Sequence, residues 1–269
     1  NPAGELAYDT TAVRQNGDIS ATRLELNVNG TLSNGEWRAK VYNYNSERGV
    51  PGAIVNNVWR RGERIWDNNS FAQASYSADF GPVTTLNQAK YSFYRTHYVN
   101  NDDKQLKIDN LYRQREFYFS SANEYVVNRR LRFSVSYDFM WNTLSADMYD
   151  FAKPDRYTNM LSAAGSMDLG RFKMQASALG TFINDKLAGR QAPEPKQVFT
   201  PAVYASYTLL NNRELGARAF YKRSFRMPTF NDLYYADMGN SQLNPERVTQ
   251  YNAGVLWDHH TRGLLENLR

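Results

Sequence analysis

Leu131-Arg132-Phe133-Ser134-Val135-Ser136-Tyr137-Asp138-Phe139 alternates apolar and polar residues without a break. Successive side chains of a strand point to opposite faces, so this run has one greasy face and one wet face. The same period of two returns in Leu24, Leu26 and Val28, set between Arg23, Glu25, Asn27 and Asn29. It returns again in Phe172, Met174, Ala176 and Ala178, and in Tyr251, Ala253, Val255 and Trp257. No long window sustains a helical period. Several runs reach about 10 residues, the length of a tilted membrane-crossing strand and more than the usual soluble strand of about 5–6.

Outward from these runs, the connections are unequal. Short polar turns fall near residues 29–36, 79–83, 127–130, 168–171, 211–213 and 258–261. Their centres lie roughly 45 residues apart, enough for an up-strand, a longer loop and a down-strand. Longer segments lie between them at 46–69, 99–107, 141–158, 184–197 and 226–247. Short turns on one side and long loops on the other are the layout of an outer-membrane barrel. A soluble antiparallel sandwich or a propeller also alternates. A propeller blade even has a similar period, but each unit here supplies two long strands rather than four short ones. The count is about eleven strands with a twelfth starting near Arg262, and an odd count is unusual for a complete bacterial barrel. Asn1-Pro2-Ala3-Gly4 is no signal peptide, and the pattern stops in mid-course at Arg269. Residues 1–269 therefore read as a single β-barrel segment cut at both ends, with an intact gene product larger than 31.0 kDa.

Composition agrees. The chain is 42% hydrophobic with a mean hydropathy of −0.67, as expected when apolar and polar residues alternate. No run of about 18 apolar residues exists to form a membrane-spanning helix. The 19 Tyr, 14 Phe and 5 Trp suit interfacial girdles. The absence of Cys excludes a disulfide-stapled domain and a Cys-based zinc site. The net charge of +5 is spread along the chain, which gives no nucleic-acid footprint.

Two segments carry a family resemblance. Phe225-Arg226-Met227-Pro228-Thr229-Phe230-Asn231-Asp232-Leu233-Tyr234-Tyr235, with Gly239-Asn240-Ser241-Gln242-Leu243-Asn244-Pro245-Glu246 after it, closely resembles the paired "FRAP" and "NPNL-PE" boxes of TonB-dependent outer-membrane receptors. Met227 stands where the family commonly has Ala. Pro228 removes a ladder donor and ends the preceding strand, read as 215–224. The second segment, Arg48-Gly49-Val50-Pro51-Gly52, is similar to the family's strand-exit run, with Gly49 and Gly52 allowing angles closed to other residues. The turns Val127-Asn128-Arg129-Arg130 and Leu210-Asn211-Asn212-Arg213 also look like the family's inner-side hairpins.

The resemblance implies an antiparallel transmembrane β-barrel, with about eleven strands here out of 22. It also implies a plug domain and a TonB-contacting box, both N-terminal and neither visible in this chain. The implied function is import of a scarce nutrient across the outer membrane, with a siderophore–iron complex or a corrinoid as the first choice. The partners are then the metal chelate, outer-membrane lipid, and TonB through a region outside this chain. The alternatives are a non-transport outer-membrane adhesin and a soluble β-sandwich binding module.

Nothing points to catalysis. No Gly-x-Ser-x-Gly, His-Glu-x-x-His or P-loop pattern occurs. The histidines are His97, His259 and His260. Haem receptors of the family typically carry a His between the two boxes, and 229–241 holds none, which weighs against haem while leaving His97 open. No cofactor and no protein metal ligand is expected. Chelates can be held by aromatic stacking and by Arg, so the candidate ligand contacts are Arg226, Tyr234, Tyr235, Trp66 and Tyr157, with Trp59 beside them, all read as lying on outer loops. Tyr234 and Tyr235 are expected to be displayed on an exposed loop. Asp102-Asp103 and Arg60-Arg61-Gly62-Glu63-Arg64 read as solvated outer-loop charges, the latter able to meet anionic lipopolysaccharide.

Overall fold

A computed structural model describes residues 13–51, 62–101, 107–189, 191–210, 215–234, 240 and 242–257. Eleven strands form one antiparallel sheet in simple sequence order. They are β1 (Ile19–Leu32), β2 (Gly35–Val50), β3 (Glu63–Phe80), β4 (Val83–Asn100), β5 (Ile108–Asn128), β6 (Leu131–Ala146), β7 (Asp155–Asp168), β8 (Phe172–Lys186), β9 (Lys196–Thr208), β10 (Leu215–Arg226) and β11 (Glu246–Trp257). One short helix, α1 (Phe230–Tyr234), interrupts the last connection. Among the described residues all eleven strands belong to this one sheet and no second sheet packs on it, unlike a sandwich. Among the described residues β1 pairs only with β2 and β11 only with β10.

The turn end is tight. Gly81 at φ 63° and Gly170 at φ 81° take left-handed angles that L side chains resist. At the β5–β6 turn the Asn128 side-chain oxygen accepts from the amides of Arg130 (2.8 Å) and Leu131 (3.0 Å). These are the turns the sequence placed at 79–83, 127–130 and 168–171. Those expected at 211–213 and 258–261 lie outside the described residues.

At the loop end the strands run further than the sequence reading allowed. β2 continues to Val50 and β3 resumes at Glu63, inside the segment read as a loop at 46–69. β6 and β7 likewise cut the 141–158 segment back to residues 147–154. The cause is chemical: near this end polar residues fall on both faces, as with Glu47 and Arg48 on β2 and Asp67 and Asn68 on β3, and the alternation that marks a strand weakens while the ladder persists. Gly49 is also reinterpreted. It sits inside the β2 ladder opposite Arg64, without a positive φ. It is needed because a Cβ there would collide with the backbone and side chain of Asn16.

Register sorts every strand into two faces. One carries Leu24 and Leu26 (64% and 63% exposed), Phe133 and Val135 (49% and 53%), Leu161, Phe199, Tyr251 and Val255. Exposed apolar side chains on this scale require a covering partner or lipid. On β6 the apolar run from Leu131 to Trp141 spans about 33 Å along the strand, or about 25 Å of height at a tilt near 40°, which matches the apolar band of a transmembrane barrel. Trp37 closes part of this face by laying its indole over Gly30, where a Cβ would stand 2.7 Å from Nε1.

The opposite face is polar and internally bonded. Lys40 and Arg23 both bind Glu25 (2.8 and 2.7 Å). Tyr94 and Thr96 donate to Asp67 (both 2.8 Å), Tyr118 donates to Asp138 (2.6 Å) and Asn142 to Glu116 (2.7 Å). Arg132, Ser134 and Asp138 share it, as their alternation requires. This is the lumenal face of the curved sheet.

Candidate functional site

The connection after β10 carries the motif at 225–234. Pro228 cannot donate to a ladder and the strand stops at Arg226. Thr229-Phe230-Asn231-Asp232 then builds a reciprocal cap. The Thr229 amide and hydroxyl both donate to Asp232 Oδ2 (2.8 Å each), and the Asp232 amide donates back to Thr229 Oγ1 (3.2 Å). Those bonds, the backbone amide of Thr229 foremost, hold the Asp232 carboxyl below the usual carboxylate range. They start α1, which buries Phe230 and Leu233.

The helix is fastened to the lumenal face. Arg156 on β7 stands opposite Asp185 on β8 and grips it through Nε and Nη2, both at 2.7 Å. Its Nη1 donates to the Pro228 carbonyl at 2.7 Å, and its guanidinium lies 5.0 Å from the Phe230 ring centroid. The side chains of the pair are only 10% and 3% exposed. A recess of about 590 Å³ opens beside this latch, lined by Gln114, Met140, Asn142, Thr158, Met160 and Thr181 of the lumenal face and by Met227–Asn231 of the loop.

The sequence candidates scatter. Arg226 ends β10 on the lumenal face, largely exposed, 3.8 Å from Glu246 across the ladder. Tyr234 is not displayed as expected. It is half-buried at the end of α1, and its hydroxyl meets no hydrogen-bond partner among the described residues. Burial, then the Asp185 carboxylate, raises its pKa. The cap and the Arg156 latch turn the loop inward, which is why the display expectation fails. Trp66 and Tyr157 sit on β3 and β7 rather than on loops, and their register points them to the outer face. Trp66 stacks on His97 at 5.2 Å, and Lys186 Nζ lies 5.3 Å over Tyr157. His97 also faces outward, 2.6 Å from Asp109, and so cannot reach the lumen as an axial ligand. Tyr235, Trp59, Arg60, Arg61, Asp102, Asp103, His259 and His260 lie outside the described residues.

Arg156 and Asp185 were missed, although the signal was present. Both fall in segments that read as loops. Counting equal steps outward from the Asp168/Lys173 pair at the turn brings them face to face. The Thr-x-x-Asp cap was equally readable at 229–232.

The model of the family described as "TonB dependent receptor-like, beta-barrel" matches residues 3–266. The chain belongs to the TonB-dependent receptor family. No curated protein sequence matches it. Solved receptors share its fold at low identity. The ferric citrate transporter FecA is 14% identical with a TM-score of 0.65, over 91% of this chain and 42% of its own. The copper transporter OprC is 11% identical with a TM-score of 0.69, over 91% and 43%. The hemophore receptor HasR of Serratia marcescens is 10% identical with a TM-score of 0.68, over 91% and 43%. The chain thus spans less than half the length of these structures, as a partial receptor barrel.

Proposed function

We propose that this barrel segment belongs to an outer-membrane importer that takes up a metal chelate of the siderophore–iron or corrinoid kind. The observation that carries the reading is the lumen-facing recess beside the Arg156 latch. Its amides and hydroxyls, Gln114, Asn142, Thr158 and Thr181, suit the oxygen-rich periphery of a chelate, while Met140, Met160 and Phe230 suit its apolar parts. A chelate arrives with its metal already ligated, so such a lining needs to supply only hydrogen bonds and contact area. Arg226 and Tyr234 flank the loop that forms one wall, and they remain proposed contacts at its two ends. Tyr235 remains a proposed contact beside them, and Trp66 and Tyr157 face away from this recess. The uptake step draws on TonB through an N-terminal region of the intact protein.

The test is equilibrium binding of ferric siderophores and cobalamin to the intact receptor in detergent, beside growth under iron limitation or under dependence on exogenous cobalamin, with and without the gene. Saturable binding of one chelate class, weakened by Asn142→Ala or Thr181→Ala, supports the proposal. Unchanged growth together with no binding of either class would refute it.

A further inference from the structure

Among the described residues, the lining of the recess beside the latch contains one charged side chain, Arg156. Each of its three guanidinium nitrogens already donates, Nε and Nη2 to Asp185 and Nη1 to the Pro228 carbonyl, all at 2.7 Å. Arg156 and Asp185 cancel each other's charge. A ligand that claimed Arg156 would strand a carboxylate that is 3% exposed. Stranding a buried charge costs more than one new charge-assisted bond returns.

The residues bordering the recess lean negative. Register sets Glu116 opposite Asn142 and Asp138 opposite Met160, both on the lumenal face. Against these two carboxylates stands one cation, Lys196, opposite Ile183. At the lip, Arg226 lies 3.8 Å from Glu246. An anionic ligand here would meet carboxylates at its edge and gain no uncommitted cation from the lining. Like charges juxtaposed across a binding site act strongly against a partner.

The shortage of cations is local. Toward the turn end the same lumenal wall opens a larger recess, of about 690 Å³, lined by Arg129, Arg130, Arg132, Lys173 and Arg218. The carboxylate in that lining, Asp168, is held by Lys173 at 2.9 Å. The described wall thus gathers cations at its turn end, and the recess nearer the loops does without them.

The remaining lining suits an uncharged ligand. Gln114 and Asn142 bring amides, and Thr158 and Thr181 bring hydroxyls, all able to donate and to accept. Such groups bond neutral amides and hydroxamates without adding charge. Met140, Met160, Met227 and Leu179 give apolar contact, adaptable at the methionines, for the methylene linkers that join chelating groups. On a ferric ion, three hydroxamates, each singly charged, cancel the charge of the metal. Three catecholates, each doubly charged, leave a trianion.

We propose that this recess selects an uncharged metal chelate, of the ferric trihydroxamate or corrinoid type, and rejects the trianionic catecholate type. The selection rests on the import reading of the same recess and narrows its cargo by charge.

The test is equilibrium binding to the intact receptor in an uncharged detergent, with a ferric trihydroxamate, cobalamin and a ferric tris-catecholate as probes. At least one uncharged probe should bind about a hundredfold more tightly than the trianion. Leu179→Lys, which puts a cation in the lining, should narrow that gap about tenfold, the scale of one charge-assisted contact. Val198→Lys, facing the lumen opposite Thr181, brings the cation from the next strand and should act the same way. Leu179→Gln should shift both affinities alike, because it changes fit and not charge. Whichever uncharged probe binds supports the selection and identifies the type. A trianion bound as tightly as the uncharged probes would overturn charge selection and leave the import reading standing. A gap that neither lysine narrows would overturn the recess as the seat of selection. No binding of any of the three probes would remove the import reading and the selection with it.

Discussion

Breaking the Arg156–Asp185 latch should release the loop that carries the family's motif while leaving the barrel intact. Arg156→Gln removes two bonds to a carboxylate that is 3% exposed, the bond to the Pro228 carbonyl and the cation over Phe230. Removing one partner of a buried pair costs about 3–5 kcal/mol, most of it from the charge left behind. The latch borders an open recess, so the lower end of that range applies. At about 1.4 kcal/mol per tenfold, about 3 kcal/mol raises the opening equilibrium of the loop by about a hundredfold. Hydrogen exchange of the amides at 227–234 in the intact receptor measures this directly, because protection reports local opening. Strands β6–β9 should keep their protection, since their ladders do not depend on the side chain. Arg156→Met/Asp185→Leu should protect the loop better than either single change, because it removes both charges together. Unchanged exchange at 227–234 in Arg156→Gln, or equal loss across all strands, would refute the reasoning.

Three further outcomes are expected. Val135→Lys, on the exposed apolar face, should destabilise the folded barrel in lipid by about 2–4 kcal/mol, while Ser136→Lys on the lumenal face should be mild; equal costs in urea unfolding from vesicles would count against the face assignment. Asp232 has a folded-state pKa below its unfolded value, so its contribution to the α1 cap is present above the unfolded carboxylate pKa near 3.9 and is lost as pH falls through the folded value. Exchange at 229–234, corrected for intrinsic rate, should therefore accelerate in strong acid, and Asp232→Asn should remove that step. Gly30→Ala places a Cβ 2.7 Å from the Trp37 indole and should displace the ring at a cost on the order of 1 kcal/mol, read as a shifted tryptophan emission and a lower unfolding midpoint.

The sequence disclosed what repeats and concealed what depends on register. Leu131 to Phe139 shows its two faces because lipid and lumen impose opposite chemistry on alternate residues. The turns show through Gly81, Asn128 and Gly170, whose backbone demands few residues can meet. Above the membrane both faces of a strand meet water, so Glu47, Arg64 and Asp67 look like loop residues although each belongs to a ladder. The candidate site suffers most from this. Trp66 and Tyr157 were read as loop aromatics because their strands are polar around them, and only the pairing register shows that they face outward.

The same register explains how a motif at 225–234 can look like a displayed loop and yet lie against the lumen. Arg156 and Asp185 are distant in sequence, separated by 29 positions, and each is unremarkable alone. The turn at Leu169–Arg171 sets the count that brings them together, and their pairing leaves the buried Nη1 of Arg156 as a donor that needs a further acceptor. The Pro228 carbonyl is that acceptor, left free because a strand has just ended at a proline. The inward fold of the loop is thus fixed by a hairpin register some 60 residues upstream, a scale at which local sequence pattern carries no signal.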